Sequence, residues 1–329
     1  MRIHVLILCL AASTGMAAET NQLVRALTLR ECIERALANN LEVRLERINP
    51  SIANWGIVQQ QGAFDPGFTA GLTYNEASVP STSGSYSDRS LVPSLGLGGR
   101  LPTGTGYDFT VRDERANGSA YPNDPFYTGA TTLRLKQPLL KNFGLDTNLS
   151  QIRVARKSRD IAIENFALTV MSKISEVSDA YYELAFAIED HKAKLEDLSR
   201  AKRLLEENRK RVQVGVMSPL DVTQAEAGAA EREEAVILTE RAIKDRENAL
   251  KRLIAAEVRE FLGVSLLPTD APLVEMVETD VARSISAAFE LRPDYRALRH
   301  EVDRRQILVQ FNRNQLWPEL DLIASYGLN

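Results

Sequence analysis

The chain has 329 residues, of which 44% are hydrophobic and 26% charged, and its formal net charge is −4 at pH 7. So nearly neutral a chain offers no basic surface for nucleic acid. Two cysteines, Cys9 and Cys32, give no disulfide framework, and three histidines, His4, His191 and His300, are a poor stock for metal or general-base chemistry.

The first stretch, "MRIHVLILCLAASTGMAAE", places Arg2 before an apolar core from Ile3 to Ala12 and small residues before Glu19. That is a secretory signal peptide pattern over residues 1–18, with cleavage after Ala17 or Ala18. The apolar run is too short for a membrane anchor. Cleavage leaves Cys32, which reads as packed on a helix face rather than reactive. No later segment holds roughly 18 uncharged apolar residues, so the exported chain is either soluble or inserted as a β-barrel.

Residues 27–64 read as two helices. "TLRECIERALANN" offers Thr28 as N-cap and Glu31 three residues on, a capping box. Leu29, Ile33, Ala36 and Leu37 form one apolar face. A second helix starts near Leu41, kinked or restarted at Pro50.

Residues 62–144 hold 12 of the 18 glycines and 7 of the 13 prolines. "FTAGLTYN", "SLGLGGRL", "YDFTVRDE" and "TTLRLKQPLL" alternate apolar with small or polar residues, which is the strand signature. Two joining segments, "EASVPSTSGSYSDRS" and "RANGSAYPNDPF", read as long polar loops; "PTGTG" is short. Long loops alternating with tight turns suit an outer-membrane barrel, although a soluble β-domain has the same ingredients. The strand region spans 65–141.

Residues 145–262 form a helical hairpin. From Leu145 to Val214 there is no glycine, and from Leu139 to Ser218 no proline. Ile163, Val170, Val177, Leu184, His191, Leu198, Leu205 and Val212 recur every seven residues. A second row runs Ala167, Ile174, Tyr181, Ile188, Leu195, then Lys202 and Arg209, an a/d pattern whose second row turns polar. Such a helix reaches roughly 100 Å. Gly215, Ser218, Pro219, Asp221 and Val222 make a tight turn at 215–222, with Gly215 in a left-handed conformation and Ser218 capping the next helix. In that helix Val222, Ala229, Val236, Ile243 and Leu250 form one row. Gly228, Ala235, Ala242, Ala249 and Ala256 form a row of small residues. Glu226, Glu233, Glu240 and Glu247 form a third, which is either a solvated acidic face, the commoner arrangement, or the lining of a water-filled interior. His191, in the apolar row, reads as packed and hydrogen-bonded.

A linker over 263–280 leads to residues 281–329, which restart the earlier order. Shifted by 252 positions, "IERALANNLEV" falls on "ISAAFELRPDY", Pro66 on Pro318 and Tyr74 on Tyr326. The second copy stops in its first strand, so the chain reads as the front of a protein of roughly 500 residues.

These features in this order resemble the TolC family of outer-membrane efflux proteins. "LTLRECIERALANNLEV" is similar to the opening helix of each family repeat. "LKQPLLKNFG" resembles the strand end leading into the long helix, "VSDAYYELAFA" the mid-helix aromatic motif, and "NRKRVQVGVMSPLDVTQAEA" the helix–turn–helix tip. The resemblance covers nearly all of residues 27–329. It implies an α+β membrane protein with antiparallel transmembrane β-barrel strands. The long antiparallel helical hairpin would form part of a periplasmic α-barrel, and the second of two internal repeats is incomplete. It implies a homotrimer in the outer membrane of a Gram-negative bacterium, with a periplasmic extension. The partners implied are outer-membrane lipid, a periplasmic adaptor docked on Gly215, Ser218, Pro219, Asp221 and Val222, and an inner-membrane transporter. The cargo would be small molecules or secreted polypeptides, and neither enzyme activity nor a cofactor or metal is implied. The family pattern has two strands per repeat, whereas four candidates precede the long helix here. Either the barrel is larger or the hairpin around Pro102–Gly106 projects beyond the membrane. The family's gate residues lie in the second hairpin and are not carried over. A periplasmic coiled-coil adaptor is the alternative, disfavoured by the glycine-rich strands and the repeat.

Overall fold

The computed structural model describes residues 23–81, 84–118, 125–271 and 279–329. The signal peptide expected at 1–18 lies outside them, as do parts of the linker expected at 263–280 and of the two polar joining segments. In chain order the elements are β1 (Leu23–Leu27), α1 (Leu29–Asn39), α2 (Leu41–Gln61), β2 (Gly67–Ser81), β3 (Gly84–Arg100), β4 (Gly106–Gly118), β5 (Phe126–Pro138), α3 (Leu145–Asn148), α4 (Ser150–Gln213), α5 (Pro219–Ile254), β6 (Val264–Pro268), α6 (Val281–Leu291), α7 (Pro293–Gln315) and β7 (Asp321–Leu328). Two compact units divide the chain, Met1–Leu41 with Ser172–Met276 and Glu42–Met171 with Val277–Asn329.

The first unit combines α1, most of α4, all of α5 and a two-stranded sheet. The capping box at the start of α1 is present: Glu31 N–H donates to Thr28 Oγ1 at 3.2 Å, and Thr28 N–H to Glu31 Oε2 at 3.0 Å. Its buried face is Cys32 and Ala36, which join Val177, Tyr181, Leu184, Leu250, Ile254 and Phe261 in one core. Burial raises the Cys32 thiol to about 11, so it stays protonated and inert. β1 pairs in parallel with β6, from Leu23 with Val264 to Leu27 with Pro268. The expected linker therefore begins as a strand. Five residues supply too little alternation to announce it, and its partner lies far away in sequence.

The Tyr181 hydroxyl ties this sheet to α4. It donates to Leu27 O at 3.1 Å and accepts from the N–H groups of Thr269 at 3.0 Å and Asp270 at 2.9 Å. One donor and two acceptor positions are what a phenol has, and all are used. Asp270 in turn accepts from Leu29 N–H at 2.8 Å, fixing the start of α1.

The second unit contains an antiparallel sheet of order β2-β3-β4-β5-β7. "EASVPSTSGSYSDRS", expected as a loop, is mostly paired strand: β2 and β3 stay in register from Gly67 with Gly98 out to Ser81 with Gly84. Backbone pairing overrides the turn-like composition of a serine-rich stretch. The Pro102–Gly106 turn sits against the chain leading into α3. Gly144 N–H donates to Thr103 O at 3.2 Å, and a Cβ on Gly104 (φ +96°) would lie 2.5 Å from Asn142 O. β3 and β4 are therefore members of the sheet, not a projection from it. α2 runs unbroken through Pro50, neither interrupted nor restarted there. α1 and α6 begin 252 residues apart, as do α2 and α7. No described helix is long and apolar enough to cross a membrane.

Candidate functional site

The turn between α4 and α5 closes by local chemistry. Val216 N–H donates to Arg211 O and Gly215 N–H to Val212 O, both at 3.0 Å, the paired bonds of a Schellman motif. Gly215 takes φ +81°, as its position after the helix requires. Ser218 Oγ then accepts from Leu220 N–H at 3.2 Å, while Asp221 Oδ2 accepts from Ser218 N–H at 3.2 Å, with Pro219 as the first helical residue. With the chain ends satisfied, the turn leaves its apolar side chains outside: Val214 and Val216 are 73% exposed and Leu220 63%. Val222 is half-buried. Behind the turn lies an open groove of ≈ 550 Å³ lined in part by Leu204, Asn208, Met217 and Ala225. Sequence reasoning found the capping residues and missed these exposed valines.

The first heptad row of α4 packs as expected from Val177 onward: Val177, Leu184 and Leu198 are buried, and His191, Leu205 and Val212 half-buried. The second row packs only through Ile188, with Tyr181 buried and Ile174 and Ile188 half-buried. Leu195 is exposed, and Ala187, Lys194, Ala201 and Asn208 take the inward positions instead. His191 Nδ1 lies 2.9 Å from Thr239 Oγ1, itself hydrogen-bonded to Val236 O at 2.9 Å. The α5 row Val222, Ala229, Val236, Ile243 and Leu250 is buried or half-buried throughout.

The acidic row carries cations with it. Glu226 meets Arg209 at 2.6 Å and Glu233 meets Lys202 at 3.7 Å, both across to α4. Glu240 pairs along its own helix with Lys244 at 2.9 Å, whose hydrogen bond holds the carboxyl below the usual range. Glu247 leaves the row. Its side chain is only 12% exposed, bonded to Lys251 at 2.8 Å and to Leu266 N–H at 2.9 Å, so it supports β6 and cannot line a channel with the others. The polar end of the second heptad row, Lys202 and Arg209, thus answers the acidic row, a pairing visible as two matched seven-residue steps.

The five-stranded sheet has two unlike faces. Register aligns Phe68, Leu97, Phe109, Leu133 and Tyr326 across all five strands, and Ala70, Leu95, Val111, Thr131 and Leu328 beside them. Every member of the first row is exposed. On the opposite face Thr69, Gly96, Thr110, Thr132 and Gly327 align, next to Gly67, Gly98, Asp108, Arg134 and Ser325. Glycine is concentrated on this polar face. A Cβ at Gly96 would lie 2.5 Å from Thr69 Oγ1, and one at Gly98 3.2 Å from Asp108 Oδ2, as on the crowded side of a curved sheet. β2 and β7 are the edges. The helices that precede them expose apolar stripes, Leu41, Leu45, Ile48, Ile52 and Trp55 on α2 and Leu298, Val302 and Val309 on α7. Among the described residues no His, Cys, Asp and Glu cluster has the makings of a metal site.

Residues 32–256 match the family model described as outer membrane efflux protein. Comparison with curated proteins returns no match. Among solved structures the fold is similar to a membrane protein from Pseudomonas aeruginosa, at 19% identity and a TM-score of 0.65, covering 91% of this chain and 61% of that one. The CmeC outer membrane channel of Campylobacter jejuni gives 15% and 0.62 over 91% of this chain and 61% of its own. The outer membrane protein VceC of Vibrio cholerae gives 19% and 0.63 over 91% and 62%. The chain thus spans about 61% of the length of these structures.

Proposed function

We propose, from the premise that this chain belongs to the outer membrane efflux protein family, that it is a subunit of an outer-membrane export channel and not an enzyme. The observation that carries the reading is the sheet: an exposed apolar face five strands wide, backed by a polar, glycine-rich one. In a barrel the first faces lipid and the second faces water. An adaptor lacking a barrel has no use for such a face. The edges β2 and β7 and the stripes on α2 and α7 are where further strands and helices would join, in a closed assembly of three copies.

In this reading α1–α2–β2 and α6–α7–β7 begin two repeats, and 1–18 is a removable signal. α4 and α5 form part of a periplasmic α-helical tunnel, and Glu226, Glu233 and Glu240 take part in its charged wall together with Lys202 and Arg209. The turn Gly215, Ser218, Pro219, Asp221 and Val222 docks a periplasmic adaptor, which links the channel to an inner-membrane transporter. The exposed valines beside it supply the apolar contact. Cargo is small molecules or secreted polypeptides.

Two experiments test this. After alkaline washing of membranes, the protein should remain with the outer-membrane fraction; release into the wash favours the adaptor reading. Gly215→Val and Ser218→Arg should abolish export while the level in the outer membrane stays normal. Undiminished export in both removes the docking assignment.

A further inference from the structure

Resting on that channel reading, we infer that the β3–β4 hairpin is a register-neutral insert that sets the width of the barrel's outer opening. Phe68 lies level with Leu97, Leu97 with Phe109 and Phe109 with Leu133. Thr69 is level with Thr132 by the same chain of partners, and Gly67 with Arg134. If β3 and β4 were absent, β2 and the antiparallel β5 could pair directly. Every side chain would keep its face, because the alternation has period two and the hairpin contributes no odd offset. Both cut ends, Ser81 and Phe126, lie at the same end of the sheet, where β2 finishes and β5 starts.

The inserted pair has the same two faces as its neighbours. Leu91, Leu95, Leu97, Phe109 and Val111 extend the apolar surface. Ser94, Asp108, Thr110 and Arg112 extend the polar one. The hairpin is anchored as a structural member by its turn, with Gly104 tucked under Asn142 O and beside Asn148. It therefore widens the sheet without breaking either surface. Barrel diameter grows roughly linearly with strand number, and wide barrels leave a water-filled channel. Each copy adds two strands through this hairpin, so every copy in the ring enlarges the opening.

The experiment measures, from block of single-channel current, the largest neutral polymer that enters from the outer side, for the protein purified from outer membranes and for a variant lacking residues 82–125. Diameter follows strand number, so the largest polymer that enters from the outer side should be smaller in the variant. An unchanged polymer size limit in an assembled variant overturns the inference. If the shortened variant does not assemble, Arg112→Cys and Val111→Cys decide. A bulky water-soluble thiol reagent should cut the current through the first and not the second; Cys32 is buried and stays silent. Current insensitive to labelling at Arg112→Cys overturns the inference, since the hairpin then does not line the water path. Absence of any channel in the unmodified protein instead defeats the channel reading on which the inference stands.

Discussion

Helix α4 is paired twice, with α7 in one unit and with α5 in the other, and both pairings space their ion pairs seven residues apart. In the first, Lys157 meets Asp303 at 2.8 Å and Glu164 meets Arg296 at 2.7 Å. In the second, Lys202 meets Glu233 and Arg209 meets Glu226. The signs differ. Along α4 the first ladder alternates, basic then acidic, while the second is basic throughout against an acidic partner. A slip of one heptad in the first sets Lys157 against Arg296, or Glu164 against Asp303, and is repelled in both directions. A slip in the second sets Lys202 against Glu226, or Arg209 against Glu233, and stays attractive. The difference follows the connectivity. α4 and α5 are joined by a turn whose bonds already fix where pairing begins. α4 and α7 are brought together from distant parts of the sequence, so their register must be written in the side chains.

The sharpest break is at Glu164, whose side chain is only 7% exposed. Arg296→Met leaves that carboxylate buried and unpaired and should cost about 3 kcal/mol of stability in the α4–α7 unit, measured by thermal unfolding. Glu164→Lys with Arg296→Glu should recover most of it. That swap also turns the alternating ladder into a uniform one, so disulfide trapping between cysteines placed one heptad out of register should now succeed.

The next effect lies at the turn. Gly215→Val forces a β-branched residue into a left-handed conformation, costing about 1–2 kcal/mol. Because the α4–α5 charges do not oppose slipping, this change should also loosen register. A Lys202→Cys, Glu226→Cys pair should cross-link in the Gly215→Val background and not in its absence. Equal cross-linking in both would show that apolar packing, not the turn, sets the alignment. Smaller still, Lys202→Ala should cost no more than about 0.5 kcal/mol, and less in high salt, as exposed pairs do.

The smallest effect is acid sensitivity. The hydrogen bond from Lys157 holds the Asp303 carboxyl below the usual range, and Arg304 and then Arg305 do the same for Glu301. Carboxyls depressed on folding stabilise fully above their unfolded values, and that contribution fades as pH falls below about 4. The unit holding α7 should therefore lose a little thermal stability on acidification from pH 5 to 3, and Asp303→Asn should flatten that slope. A slope unchanged by Asp303→Asn would assign the loss to other groups.

Much of this was legible in the sequence wherever the cause is local or periodic. Thr28 with Glu31, Gly215, and Ser218 with Asp221 declare their caps within four residues. Val177, Leu184 and Leu198 declare a buried row by repetition. Leu195 misled because a leucine in step with a row reads as core, whereas Ala187, Ala201 and Asn208, which face inward, carry no hydrophobic signal. The serines of residues 78–90 misled for the opposite reason, since a ladder is held by backbone groups that any residue but proline supplies. The partners of Glu247 and Tyr181 were invisible because each is chosen by the tertiary path of the chain.

The hydroxyl of Tyr181 also sets an order of events. Its partners Leu27 and Asp270 flank nearly the whole first unit, and β1 and β6 are separated by the entire α4–α5 hairpin. Helices α4 and α5 can form and pair from neighbouring segments, quickly and with little loop-closure cost. β1 cannot, and as the chain emerges N-terminus first its edge must wait, unpaired, until β6 is delivered more than two hundred residues later. Closing this unit is therefore a late step, and the interval before it is when a five-residue strand is most open to pairing with the wrong neighbour.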